Sequence, residues 1–395
     1  MGHSTQVIVY RGLLLGLLLL PAVRYSSARP RRSPQSLSTF AKEKLSQTAF
    51  AISAVWPLMA GLQTPTVVQA MSSTTDASKK DMWYNPNNER IYDTKRKSFL
   101  PTVKVERLIE NELNGKNQRV VVIGEIHSNP CHHRVEFDVI KAFFDAEEQA
   151  TQRSNVVNNV DIMSNPASVN NKKYAIGLEC FYRQHQAALD RYIFEHQNIK
   201  TLKEETDWDE SWGYDLNYYA KILNFASKHQ VRLLGLNIPY PIARYVGAVG
   251  IGNVDPKLKA MLPEVDVTDA EHKNRFLEAI GFNHGDDTMT TEAIDKMYTV
   301  QCLWEDYMSE TAAIYLNNVP NSKLCVIAGV GHVRGRAGIP DRIAKRTNGL
   351  HPFVIVPEQV GWSTETGLPI IDEPLSSNDA DWAWYTEQEI GVKLI

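Results

Sequence analysis

RVVVIGEIHSNPCHH, Arg119 to His133, sets a strand, a polar turn and a helix start side by side. Arg119–Ile123 is a short β-branched run with no polar alternation, which suits a strand buried on both faces, as in a parallel sheet. Gly124 lets the backbone turn, and Glu125-Ile126-His127 follows at the strand end. Asn129-Pro130 then supplies a cap and a first-turn proline for the helix CHHRVEFDVIKAFFDAEEQA. The same grammar recurs along the chain. Further strands are expected at Tyr174–Leu178, Val231–Leu236, Lys323–Ala328 and Phe353–Val356, and helices at Arg183–Gln197, Leu216–His229 and Val300–Leu316. Another helix, DRIAKR, opens after Gly338-Ile339-Pro340. This alternation predicts an α/β fold: a mostly parallel sheet flanked by helices. Residues 240–300 show no clear strand and are expected to form a smaller helical lobe.

Polar residues follow the strands. Glu125 and His127 come after the first, Glu179 after the second, Asn237 after the third and His332 after the fourth. In an open α/β sheet, ligands bind beyond the carboxyl ends of the strands. The expectation is therefore that Glu125, His127, Glu179 and His332 converge on one rim as a catalytic group. Glu125, His127 and His332 within it would hold a divalent metal such as zinc or manganese. His132 and His133 lie in the first turn of the following helix. Arg334 and Arg336 sit beside His332, ahead of a helix N-terminus, where an anionic group would be favoured.

Composition excludes several classes. The chain has 395 residues, 43% apolar and 22% charged, with a formal charge of −4, which is ordinary for a globular protein. Residues 1–70 carry seven Lys/Arg against one acid, leaving 42 − 7 = 35 basic and 46 − 1 = 45 acidic residues elsewhere. A body of net charge −10 argues against nucleic acid as a partner. Four cysteines without a Cys-x-x-Cys rule out a disulfide scaffold, a Cys-rich zinc site and covalently attached haem.

The N-terminus reads as an address. Arg11, the apolar run Gly12–Val23 and Ser26-Ser27-Ala28 make a signal peptide over residues 1–28. Residues 29–70 are a transit-like Arg/Ser/Lys stretch and then a second apolar signal ending at Val68-Gln69-Ala70. That order is expected for delivery to a plastid, into the thylakoid lumen; plain secretion is the alternative. Residues 71–99 read as a polar linker, 151–173 as a surface insertion and 363–395 as a C-terminal tail. In that tail Trp382-Ala383-Trp384-Tyr385 is expected to dock on the body. Peripheral membrane association is a further expectation.

Five blocks, in order, carry a family resemblance: GEIHSNPCHH from Gly124, IGLECFYRQHQ from Ile176, LGLNIP from Leu234, QCLWEDYMSE from Gln301 and VIAGVGHVRGRAGIP from Val326. Over residues 100–362 the chain resembles the ChaN-like haem-binding uptake family of the Tiki superfamily. It departs from that pattern at Ser128 and Glu305, where the family commonly has Asp, and at Tyr240, where it commonly has Arg. The resemblance implies an α/β core with a helical lobe, and haem or a related tetrapyrrole held non-covalently in a homodimer. It also implies a tyrosine on the iron and a histidine near a propionate. The body offers Tyr182, Tyr192, Tyr214, Tyr218, Tyr219, Tyr240 and Tyr245. Tyr182, just past Glu179, is the candidate ligand, with His127, His132, His133, His332 and Arg334 as haem contacts. The wider superfamily implies the alternative to haem binding, a metal-dependent hydrolase or protease using Glu125, His127, Glu179 and His332.

Overall fold

The structure is a computed structural model that describes residues 89–101, 105–114, 118–157, 173–282 and 290–387. The targeting signals expected over residues 1–70 lie outside these, as do residues 158–172 of the expected insertion. The described chain divides into two compact units, Ile238–Tyr307 and the remainder, which breaks off at Asn237 and resumes at Met308.

The larger unit is built on one mixed, mostly parallel sheet. Its strands are β1 (Glu89–Asp93), β2 (Ser98–Phe99), β3 (Val120–Glu125), β4 (Tyr174–Tyr182), β5 (Arg232–Asn237), β6 (Lys323–Gly329), β7 (Phe353–Trp362), β8 (Pro369–Ile370) and β9 (Trp382–Glu387). Helices of eight or more residues are α1 (Pro130–Val157), α2 (Gln186–Phe194), α3 (Ala220–His229), α4 (Tyr240–Val249), α5 (Ala270–Ala279), α6 (Thr291–Asn318) and α7 (Ile339–Arg346). The strands lie in the order β2-β1-β9-β7-β3-β6-β4-β5, with β8 paired to β7. From β9 to β5 every neighbouring pair is parallel. β3, β4 and β6 are buried along their whole length, as the unbroken apolar runs require. Glu125 stands opposite Gly329 in the β3/β6 register, so both strands end on the same rim.

Two differences from the sequence reading matter for the site. β4 does not stop at Leu178 but runs to Tyr182, so Glu179 lies inside the strand. A charged residue looked like a strand end; Cys180 and Phe181 instead carry the buried strand onward through a register shift against β5. Gly235 permits that shift, since a Cβ there would meet the Tyr182 carbonyl oxygen at 2.3 Å. Secondly, residues read as linker and tail supply strands. β9 inserts between β7 and β1, with Trp382, Trp384 and Tyr385 buried. Asp381, just ahead of its start, is buried, accepts from the Val354 N–H at 2.9 Å and pairs with Arg336 at 2.6 Å.

The smaller unit contains α4, α5 and the first turns of α6, with no strand among its described residues. Phe276, Leu277, Ile294, Tyr298 and Cys302 form its core, and Asp269 caps α5 by accepting from the His272 N–H at 2.9 Å.

Candidate functional site

α1 brings the first group of side chains to the rim. Asn129 Oδ1 accepts from the N–H groups of Cys131 at 2.9 Å and His132 at 3.3 Å, and Pro130 occupies the first helical position. The helix buries His132, His133, Val135, Glu136, Val139, Ile140, Phe143 and Phe144, a stripe at three- and four-residue spacing. Glu136 therefore occupies a core position, one turn along from His133.

Three ionisable side chains converge there. His133 Nδ1 lies 3.0 Å from Glu136 Oε2 and 3.3 Å from Glu125 Oε2, and donor atoms of the three residues all fall within 4.8 Å of one another. His133 Nε2 faces the His127 carbonyl at 2.9 Å. A carbonyl only accepts, so Nε2 carries the hydrogen and a neutral His133 turns a bare Nδ1 towards two carboxylates. That arrangement holds only with a proton or a cation between them. The electrostatics agree. Burial, then Glu136, raises the Glu125 pKa; burial raises Glu136 to about 7; burial lowers His133.

His127 is prepared differently. Glu125 Oε1 meets His127 Nδ1 at 2.7 Å and accepts from the Tyr219 hydroxyl at 2.7 Å. With Glu125 ionised, Nδ1 carries the hydrogen and Nε2 presents its lone pair. Nε2 is buried and makes no hydrogen bond among the described residues. Gly329 makes room for it, because a Cβ at that position would stand 3.1 Å from Nε2. Glu179 Oε2 accepts from the Gly329 N–H at 2.6 Å, and its Oε1 lies 3.6 Å from His332 Nε2. Glu125, His127, Glu179 and His332 are thus brought together, and Asn237, at the end of β5, is buried.

Aromatic rings close over the histidines. Trp212 and Tyr214 lie 4.6 and 5.2 Å from His127, while Tyr218 stacks on His133 at 5.1 Å and 16°. Tyr214 and Tyr218 are half-buried, and their hydroxyls make no hydrogen bond among the described residues. Burial holds Tyr214 up at about 12, with Glu179 and Glu125 adding to it.

The sequence matches a known family. The family described as haem-binding uptake, Tiki superfamily, ChaN matches residues 114–343, more than half of the chain. The chain belongs to this family. Its fold is similar to that in the structure titled "Cofacial heme binding to ChaN of Campylobacter jejuni", with 16% identity and a TM-score of 0.52, covering 76% of this chain and 97% of that one. The type III effector HopBA1 is a more distant match, with 12% identity, a TM-score of 0.38 and coverage of 73% and 96%. No curated protein matches the chain in sequence.

Against the ChaN-family expectations, placement is uneven. Tyr182 is buried and its hydroxyl donates to the Ser211 carbonyl at 3.0 Å, so it is committed to packing. Arg334 lies 3.3 Å from Glu358 and 3.6 Å from Asp379, engaged by carboxylates of the sheet unit itself. His132 Nδ1 accepts from the Ile126 N–H at 3.1 Å, and burial drives its pKa down to about 3, which makes it a neutral brace for the loop. Of the expected metal set, Glu125 and His127 touch, but the compact donor group is Glu125, His133 and Glu136. Glu136 and the Tyr219 bond to Glu125 escaped the sequence reading. The signal for Glu136 was present: an acid at a core position three residues after a histidine on one helix face.

Proposed function

We propose that this protein binds haem or a related tetrapyrrole non-covalently at the rim formed by Glu125, His127, His133 and Glu179. Family membership supports the ligand class. One observation carries the placement: two half-buried tyrosines, Tyr214 and Tyr218, rest on His127 and His133 with hydroxyls that make no hydrogen bond among the described residues. A phenolate is a hard anionic donor that suits ferric iron, so the donor set fits the group. Bound haem would supply redox and axial-ligand chemistry that no side chain here possesses. The chain's own residues would position it. Tyr214 or Tyr218 would hold the iron, as a phenolate. Arg334 would meet a propionate only by exchanging Glu358 and Asp379 for it.

Haem titration followed by the Soret band tests this. Tyr214→Phe or Tyr218→Phe should abolish the wild-type spectrum. If both variants bind haem with wild-type affinity and spectrum, the placement is wrong. Because a protonated phenol must lose its hydrogen to bind iron, affinity should rise about tenfold per pH unit in the neutral range. A homodimer is part of the proposal, as is delivery to a plastid lumen. Sedimentation with and without haem tests the first. For the second, a mature N-terminus near Met71 supports the lumen and one near Arg29 argues against it.

A second reading, metal-dependent hydrolysis, is favoured by a separate observation: the buried Glu125–His133–Glu136 donor group beside the lone pair of His127. Zinc or manganese held there would supply Lewis acidity, and His127 would act as general base. Chelator-sensitive hydrolysis without haem would select this reading, and full haem loading with no hydrolytic activity would remove it.

A further inference from the structure

In the helical unit a second group of donors converges, remote in sequence from the rim. His272, near the start of α5, meets Cys302 and Glu305, which stand three residues apart on one face of α6; all three are buried, with donor atoms within 4.8 Å of one another. We infer that His272, Cys302 and Glu305 form a zinc site that ties α5 to α6. The inference is independent of the function proposed for the rim.

Hydrogen positions on the neighbours argue for a cation. The Tyr298 hydroxyl donates to the Asp269 carbonyl at 3.0 Å and lies 3.1 Å from His272 Nδ1. Its single hydrogen goes to the carbonyl, which can only accept, so its oxygen accepts from His272 Nδ1–H. A neutral His272 then points the lone pair of Nε2 at Glu305 Oε1, 3.3 Å away. Gln301 Nε2 donates to that same oxygen at 2.7 Å. Both donor residues are therefore oriented from behind, the histidine by a hydroxyl and the carboxylate by an amide. That is the outer-shell support that metal ligands receive.

Spacing and chemistry fit zinc. Bonds of about 2.0–2.3 Å at tetrahedral angles put ligand atoms roughly 3.3–3.8 Å apart, which matches the His272–Glu305 separation of 3.3 Å. A thiolate, an imidazole and a carboxylate form a mixed set that zinc favours and that magnesium and calcium do not. One thiolate and one carboxylate also neutralise a divalent ion in an apolar core of Phe276, Leu277, Ile294 and Tyr298. A fourth position would be left for water.

Metal analysis of the full chain and cobalt substitution test the site. The wild type should retain stoichiometric zinc after dialysis. Its cobalt form should show a thiolate-to-metal charge-transfer band in the near ultraviolet. Cys302→Ser should lose the band and the zinc held with it, whereas Glu136→Gln at the rim should keep the band. Glu305→Gln preserves volume and backbone and should weaken zinc retention at least tenfold in chelator competition. Wild-type protein without zinc, or a cobalt band that survives Cys302→Ser, overturns the inference and leaves a plain His272–Glu305 hydrogen-bonded pair. If Cys302→Ser does not fold, the Glu305→Gln competition decides in the same way.

Discussion

Glu136→Gln gives the sharpest test of the electrostatics at the rim. Glu136 is fully buried in the core stripe of α1, and burial raises its pKa from 4.5 to about 7. A raised carboxyl prefers to be protonated in the folded protein. Its cost is absent below the unfolded value, grows as pH rises from 4.5, and is complete above about 7. At about 1.4 kcal/mol per pH unit, that window corresponds to about 3 kcal/mol at pH 8. Glutamine keeps the shape and cannot ionise. In chelator-treated protein, the stability of Glu136→Gln relative to wild type should therefore climb by about 3 kcal/mol between pH 4.5 and 8. The difference curve is the right quantity, because His132, lowered to about 3 by burial, adds its own loss of stability on the acid side in both proteins. Urea unfolding at stepped pH measures it. A flat difference would show that Glu136 keeps its charge in the fold and that the His133–Glu136 contact needs no added cation. Added zinc or manganese at pH 8 should stabilise the wild type more than the variant, because only the wild type keeps both donor groups whole.

Three further outcomes follow from packing and chemistry at the same rim. Gly329→Ala should cost roughly 1–3 kcal/mol and impair whatever His127 does, since its Cβ would stand 3.0 Å from His127 Cε1 and 3.1 Å from Nε2; thermal unfolding checks the first part and haem titration the second. Tyr219→Phe should destabilise by about 1–3 kcal/mol, because Glu125 Oε1 would lose a buried donor at 2.7 Å; an unchanged denaturation midpoint would remove that bond from the account. Trp384→Ala should cost about 3–5 kcal/mol although it lies near the C-terminus, because β9 is an interior strand of the sheet; a loss under 1 kcal/mol would mean the sheet does not depend on its last strand.

The fold was legible where hydrophobic patterning is local and strong. β3 and β6 read as strands because both faces are buried and neither run is interrupted. β4 was cut short because Glu179 interrupts its run, although the chain continues buried through it. β1 and β9 were missed for another reason. They are short and flanked by charges, and they acquire partners only through pairing across most of the chain, which no window of sequence contains. The rim behaved likewise. The placing of Glu125, His127 and His332 follows from strand ends in a parallel sheet, whereas Glu179 lies inside β4. The commitments of Tyr182 to Ser211, and of Arg334 to Glu358 and Asp379, depend on where later elements land.

Glu136 and Glu305 share a lesson about what patterning conceals. Each sits at a core position of a long helix, three residues after a histidine or a cysteine, and each is met by a donor from another element. A buried acid at a helical core position is costly unless something compensates it. In both places the obvious compensating group is a histidine whose remaining hydrogen is already spoken for, by the His127 carbonyl at His133 and by the Tyr298 hydroxyl at His272. Hydrogen bonding thus commits one ring nitrogen of each histidine and turns the other towards the acid. Glutamate-to-alanine scanning would not reveal this, since truncation removes the acid and its need together. Titrating cations against the isosteric Gln variants separates the two, because only the charge changes.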